Sequence, residues 1–238
     1  MTPGPNDTAG LPYLEQTILA TSRYLGALTE LSAEELEAPS LLPGWTRAHV
    51  VSHLSRNADG LVRLLHAAQS GEDLPMYDSQ EARDADIEAG SRRTPEEIVA
   101  DAVASSGRWI QAANELHAAK LESPVRRTPG AETFPVRRVG TMRLTEVAVH
   151  HADLDIGYTA ADWPHELVAH LLHRRERELR DKGIGVTVLA TDTAETWSTG
   201  DGPRVSGSAA ELAWWLTGRG DGASLDVDGE LPDLGRWA

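Results

Sequence analysis

Residues 46–71 read TRAHVVSHLSRNADGLVRLLHAAQSG. Val50, Leu54, Leu61, Leu64 and Leu65 recur at intervals of three, four and seven, which gives a long helix one apolar face. Thr46 is placed to cap its start and Gly71 to end it. The same period recurs on both sides. Leu14, Ile18, Leu25 and Leu28 mark a helix from about Leu11 to Leu31. Thr94-Pro95-Glu96-Glu97 is a capping box with proline at the first helical position, opening a helix that reaches about Leu116. A fourth helix runs from about Val139 to Tyr158. Four long helices predict a four-helix bundle over residues 1–160. Between them, residues 72–90 are acidic and poorly periodic, and read as a loop. Residues 122–135 carry three prolines and a glycine, and read as an irregular connection.

The pattern changes after residue 160. A helix from about Trp163 to Lys182 precedes a strand, Val186 to Ala190, and shorter strand candidates at Glu195–Ser198 and Arg204–Ser206. Ser208 caps a helix over Ala209–Thr217, Gly218 ends it, and Leu225 to Val227 forms a last short strand. Residues 161–238 thus read as a small α+β unit with Trp214-Trp215 in its core. Arg174-Arg175-Glu176-Arg177 reads as a solvated helix face, and Trp45 as an anchor where the second long helix begins.

Composition narrows the function. With 40 % hydrophobic and 25 % charged residues, the 238-residue chain is globular in character. Asp and Glu number 37 against 22 Lys and Arg, and the net charge of −15 argues against nucleic acid or an anionic membrane as partner. The chain has no cysteine, which excludes a disulfide scaffold, a thiolate metal site and a catalytic cysteine. Any thiol chemistry needs a thiol from outside. The first ten residues are polar and lack an apolar signal core, and no apolar run approaches the roughly 20 residues of a spanning helix. The expectation is a soluble, cytoplasmic protein.

Glu146 and His150 lie four residues apart, on one face of the fourth helix. His53 lies on the second long helix, with His49 one turn earlier. Bundles build metal sites from inward Glu and His on facing helices, and two imidazoles plus one carboxylate with an open fourth position suit catalytic zinc. Iron, nickel or cobalt would accept the same donors. Spacing alone equally describes a solvated face. The neighbours favour burial: Leu144, Val147 and Ala148 surround Glu146, and Val50, Val51 and Leu54 flank His53.

Residues 42–54, from Leu42-Pro43-Gly44-Trp45 to His53-Leu54, together with Asn57-Ala58-Asp59-Gly60-Leu61, resemble one signature of the mycothiol-dependent maleylpyruvate isomerase family. Arg143-Leu144-Thr145-Glu146 through His150-His151-Ala152-Asp153-Leu154 resembles its second signature. The resemblance implies a DinB-like four-helix bundle followed by a smaller C-terminal α/β domain. It implies zinc on His53, Glu146 and His150, and mycothiol as the external thiol. His49 and Asn57, within the first signature, are candidate cofactor-binding residues, and for His49 a structural role stays open. His151 points elsewhere, as a supporting or surface histidine. Asp153 is either a hydrogen-bond acceptor behind the ligands or an exposed acid.

The chemistry implied is addition of a metal-activated thiolate to the double bond of maleylpyruvate, rotation, and release as fumarylpyruvate, within gentisate degradation. A dianionic substrate needs placed cations. Arg219, just after a C-terminal-domain helix, and Arg83, in the acidic stretch, are the candidate catalytic arginines. A helix-end cation and a salt-bridged loop residue are their plainer readings, and Arg47 and Arg56 also stand within possible reach. S-transfer from mycothiol to another electrophile, or a non-catalytic zinc or small-ligand binding protein, are the alternatives on this scaffold. The expected assembly is a monomer or weak dimer.

Overall fold

The computed structural model describes residues 10–234. The expectation about a signal core concerns mostly positions 1–9, outside the described residues. The chain forms two compact units, dividing between Gly157 and Tyr158.

The first unit contains α1 (Leu14–Leu28), α2 (Ala33–Glu37), α3 (Arg47–Ser70), α4 (Gln80–Ser91), α5 (Pro95–Glu115) and α6 (Arg138–Asp153). Helix α3 packs against α5 and α6, and α1 packs against the same two, which closes a four-helix bundle. Its core gathers Leu61, Leu64 and Leu65 of α3, Trp109 of α5 and Val139 of α6, none more than 1 % exposed. Each such side chain removed from water contributes about 1.5–3 kcal/mol.

Helix starts follow local rules. Thr46 caps α3 by accepting from the His49 amide, and Thr94 caps α5 in a reciprocal box with Glu97. Gly71 ends α3 with φ of 84°.

Two connections differ from expectation. The stretch read as a loop over 72–90 contains α4, capped by Ser79. Only Ile87 of α4 is buried, so this helix lies on the surface of α3 and shows no apolar stripe. Ser52 of α3 donates to the Ile87 carbonyl at 3.0 Å and holds the two helices together. The irregular connection over 122–135 contains a hairpin of β1 (Pro124–Arg126) and β2 (Thr133–Pro135), with Val125 opposite Phe134. Helix α6 also stops earlier than expected. Asp155 adopts a left-handed φ of 56°, and the Arg47 side chain donates to the Leu154 and Asp155 carbonyls.

The second unit contains α7 (His165–Asp181), β3 (Thr187–Ala190), β4 (Thr196–Ser198), β5 (Arg204–Gly207), α8 (Ala209–Leu216) and β6 (Asp226–Val227). The sheet order is β4-β3-β5-β6; β3 is parallel to β5 and the other pairs are antiparallel. Helix α8 packs against α7 and the sheet, and Trp215 is buried while Trp214 meets Trp163 at 5.9 Å between ring centres. Arg175 corrects the expectation of a solvated face. It is fully buried and donates to Glu178 and to the Leu234 carbonyl. Helical spacing explains this, because Arg175 falls on the stripe of Val168, Leu171, Leu172 and Leu179. Among the described residues no helix is long and apolar enough to cross a membrane. The architecture is the helical bundle with a small α/β unit that the sequence predicts.

Gly140 provides a test of the packing. A Cβ at this position of α6 would stand 2.1 Å from the Pro12 carbonyl oxygen, a backbone atom. Gly140→Ala is expected to lower the unfolding free energy by about 1–2 kcal/mol in urea titration, despite alanine's higher helix propensity. A variant as stable as the parent would contradict the close approach.

Candidate functional site

His53 of α3 and Glu146 and His150 of α6 converge inside the bundle. His53 Nε2 lies 2.8 Å from Glu146 Oε2, and His150 Nε2 lies 3.4 Å from the same oxygen. The two imidazoles meet edge to face, 4.6 Å between centres and 84° between planes. All three donor atoms fall within 4.8 Å of one another, and among the described residues this is the one such cluster that could hold a metal ion. Glu146 and His150 share a face of α6 because they are one helical turn apart. His53 is 4 % exposed, and the Trp45 ring lies 5.7 Å from it.

Burial and hydrogen bonding set the protonation states. Burial lowers His53 to about 4 against the pull of Glu146, so it is neutral at pH 7. Burial alone would raise the Glu146 carboxyl. Hydrogen bonds from His150 and His53 outweigh that and hold it well below the usual carboxylate range. Burial would lower His150, but the Asp153 and Glu146 carboxylates outweigh it and raise the imidazole. Asp153 is fully buried, with Oδ2 2.8 Å from His150 Nδ1. This resolves its role toward an acceptor behind His150, which orients the ring.

Residues 19–155 match the family model for the mycothiol maleylpyruvate isomerase N-terminal domain. The chain belongs to the mycothiol maleylpyruvate isomerase family. Among solved structures it is similar to a mycothiol-dependent maleylpyruvate isomerase, with a TM-score of 0.88 at 31 % identity, over 94 % of this chain and 95 % of that one. It is also similar to a histidine-to-alanine mutant of such an enzyme, with a TM-score of 0.87 at 30 % identity and the same coverage. No curated protein sequence matches.

The other residues singled out from the sequence of this family member are dispersed. Arg83 sits on α4, not in a loop, with Nη2 3.0 Å from His53 Nδ1 and Nη1 2.6 Å from an Asp84 oxygen. A guanidinium only donates, so in this contact Nδ1 accepts and the His53 proton is on Nε2, toward Glu146. His49 serves its own helix. Its Nδ1 faces the Thr46 hydroxyl at 2.8 Å, its Nε2 faces Glu88 at 3.2 Å, and its ring stacks near Trp45. Asn57 is 1 % exposed and its Oδ1 accepts from Arg143 at 2.9 Å. Arg47 is engaged by carbonyls and Arg56 by Asp101. His151 is buried and meets Tyr24 edge-on at 5.8 Å, so it is no surface histidine. Arg219 belongs to the second unit, where its Nη1 donates to the Thr217 carbonyl at 2.9 Å.

Tyr77 was missed in the sequence. Its backbone amide donates to the Arg127 carbonyl at 2.9 Å, and its ring lies 5.8 Å below the Arg83 guanidinium. Burial raises its phenol, with the Glu146 charge adding to the effect, so it is a neutral hydroxyl beside the cluster. A Cβ at Gly60 would come within 3.0 Å of its ring, so glycine there lets the segment seat closely on α3. No periodic pattern marks such a residue in a connecting segment.

The shifted groups give a pH test. Since His53 falls from 6.5 to about 4 on folding, the unfolded chain binds a proton across that interval that the folded chain does not. Its stabilising contribution is complete above pH 6.5 and lost as pH falls through about 4. Glu146 adds a further loss below pH 4.5. His150, raised above 6.5, contributes fully below that pH and loses its contribution only as pH rises, so it is constant in the acid window. In chelator, wild-type protein is therefore expected to lose more stability between pH 6.5 and 4.5 than His53→Gln. Parallel curves in urea unfolding would refute this.

Proposed function

We propose that this protein is a zinc-dependent, mycothiol-using isomerase that converts maleylpyruvate to fumarylpyruvate. The observation that carries the reading is the convergence of two imidazole nitrogens and one carboxylate oxygen inside a bundle of this family. His53, Glu146 and His150 would hold the metal, the bundle over residues 1–160 being the metal-holding domain and residues 161–238 a small α+β C-terminal domain.

The residues present fit such an ion. Two nitrogens and one oxygen leave a tetrahedral cation a fourth position for an external ligand. Glu146 is ionised and His53 neutral at pH 7, as ligation requires. Asp153 behind His150 Nδ1 is the carboxylate–histidine arrangement that fixes a ligand's tautomer and orientation. When bound, zinc would hold the mycothiol sulfur as a thiolate able to add reversibly to the substrate double bond. The chain's lack of cysteine accords with a borrowed thiol.

The chain's own residues would hold and position. Ligation through His53 Nε2 puts the imidazole proton on Nδ1, where it would face the Arg83 donor. Arg83 would then leave that nitrogen and be available to a carboxylate, which a guanidinium can meet with two parallel bonds. Arg219 is the second cation proposed for the dianionic substrate. His49 and Asn57 would support the cofactor pocket indirectly, through the start of α3 and through Arg143. Trp45 and the half-buried Tyr77 would limit water at the site.

Purified protein is expected to carry stoichiometric zinc by elemental analysis, and His53→Ala or His150→Ala to lose it. Maleylpyruvate and a generic electrophile, each supplied with mycothiol, separate isomerisation from S-transfer. Metal-free protein that takes up no metal would end the reading, and turnover of the electrophile alone would redirect it to S-transfer. Arg83→Ala and Arg219→Ala are expected to raise KM for the substrate by at least about tenfold with zinc content unchanged, since a charge-assisted carboxylate bond contributes roughly 1.5–3 kcal/mol. Unaltered steady-state kinetics would remove either arginine from the substrate's environment.

A further inference from the structure

Arg143 lies on α6, three residues before Glu146, and is 1 % exposed. Its Nη1 donates to the Leu54 carbonyl at 2.8 Å and to Asn57 Oδ1 at 2.9 Å, both on α3. Its Nη2 reaches Ser106 Oγ on α5 at 3.4 Å. Among the described residues no carboxylate forms an ion pair with it. Burying a guanidinium without such a partner is costly, and an apolar side chain of similar volume would fill the space at least as favourably. Packing alone therefore does not account for an arginine here.

Its place between the helices does. Nη1 joins α6, one turn before Glu146, to α3 at Leu54, the residue after His53. Around the site the buried side chains of α3 include Val50, Val51 and Leu54, and those of α6 include Val147 and Ala148. Apolar burial is non-directional, so it tolerates small slides and rotations of one helix on another. Metal ligation does not, since ligand distances hold within about 0.2 Å. A planar guanidinium with fixed donor directions supplies the constraint that apolar packing lacks.

We propose that Arg143 is a positioning residue for the metal centre: its planar guanidinium, with Nη1 on Leu54 and Asn57 and Nη2 toward Ser106, fixes α3 against α6 so that His53 meets Glu146 and His150 at ligating distance. The inference rests on the reading that the triad holds a metal. It assigns Asn57 the role of acceptor in this clamp.

The test uses the full-length protein, with zinc affinity measured by competition against a chromogenic chelator and site geometry by the visible spectrum of the cobalt(II) form. Arg143→Lys keeps the charge but loses the planar guanidinium and its second nitrogen, Arg143→Met loses charge and donors alike, and Asn57→Leu removes one acceptor at similar volume. All three are expected to weaken zinc binding, by about 10–100-fold for the Arg143 variants, the range seen when support behind metal ligands is removed. The cobalt spectrum should shift with them. A merely structural role would lower the melting temperature in chelator and leave affinity and spectrum unchanged, which would overturn the proposal. Full rescue by lysine would also overturn it, because the planar, two-nitrogen guanidinium would then not matter. If Arg143→Met does not fold, Arg143→Lys and Asn57→Leu decide. Wild-type protein that binds neither zinc nor cobalt overturns this proposal and the metal reading together. Wild-type binding matched by the variants overturns this proposal alone.

Discussion

A half-buried carboxylate among buried apolar neighbours is the constraint on which the site is organised. Glu146 is flanked by Leu144, Val147 and Ala148, and all three are fully buried. An ionised carboxylate there would cost several kcal/mol without partners. Two imidazoles on one of its oxygens offset that cost and keep it charged. One imidazole is local, a turn along the same helix. The other comes from α3, which packs on α6 with His53 at the level of Glu146.

Each imidazole has a second partner of different character. His150 Nδ1 faces a buried carboxylate, Asp153, from its own helix. His53 Nδ1 faces a cation, Arg83, carried by a surface helix. One histidine is therefore raised and the other lowered, although both are buried and both touch Glu146. The asymmetry follows from His53 being the more deeply desolvated and having no carboxylate behind it. The carboxylate partner thus comes from α6 itself and the cationic partner from α4.

Much of this was legible in the sequence because it depends on helical period. Val50, Leu54, Leu61 and Leu65 place α3, the Thr94 to Glu97 box starts α5, and the four-residue spacing puts Glu146 beside His150. What was not legible depends on the partner surface. Helix α4 shows no stripe because it buries only Ile87. The hairpin of β1 and β2 is three residues a strand and rich in proline, too short for alternation to register. Tyr77 reaches the site from a connecting segment through hydrogen bonds to the β1 end of that hairpin. The reading of Arg175 as solvated failed by weighing charge above period, since the period alone puts it in the core. Family resemblance supplied the link between His53 and the α6 pair, which spacing could not, because no local rule joins residues 93 positions apart.

The acidic balance bears on which cation can serve an anionic substrate. A chain of −15 does not attract anions through its overall field, so the work falls to individual guanidinium groups. In the first unit most of these near the cluster are committed. Arg47 closes the carbonyls after α6, Arg56 pairs with Asp101 at 2.6 Å, and Arg143 is enclosed between helices. Arg83 differs in the quality of what it holds. One of its amino groups meets an exposed carboxylate, Asp84, whose pairing in water is worth about 0–1 kcal/mol. The other meets a neutral ring nitrogen, a weaker acceptor than any carboxylate. The cation nearest the cluster is thus the one that gives up least on changing partners, and a substrate carboxylate offers it the bidentate geometry that neither present partner provides. That ordering follows from acceptor strength and exposure alone, and it singles out a residue of α4, the helix the sequence hid.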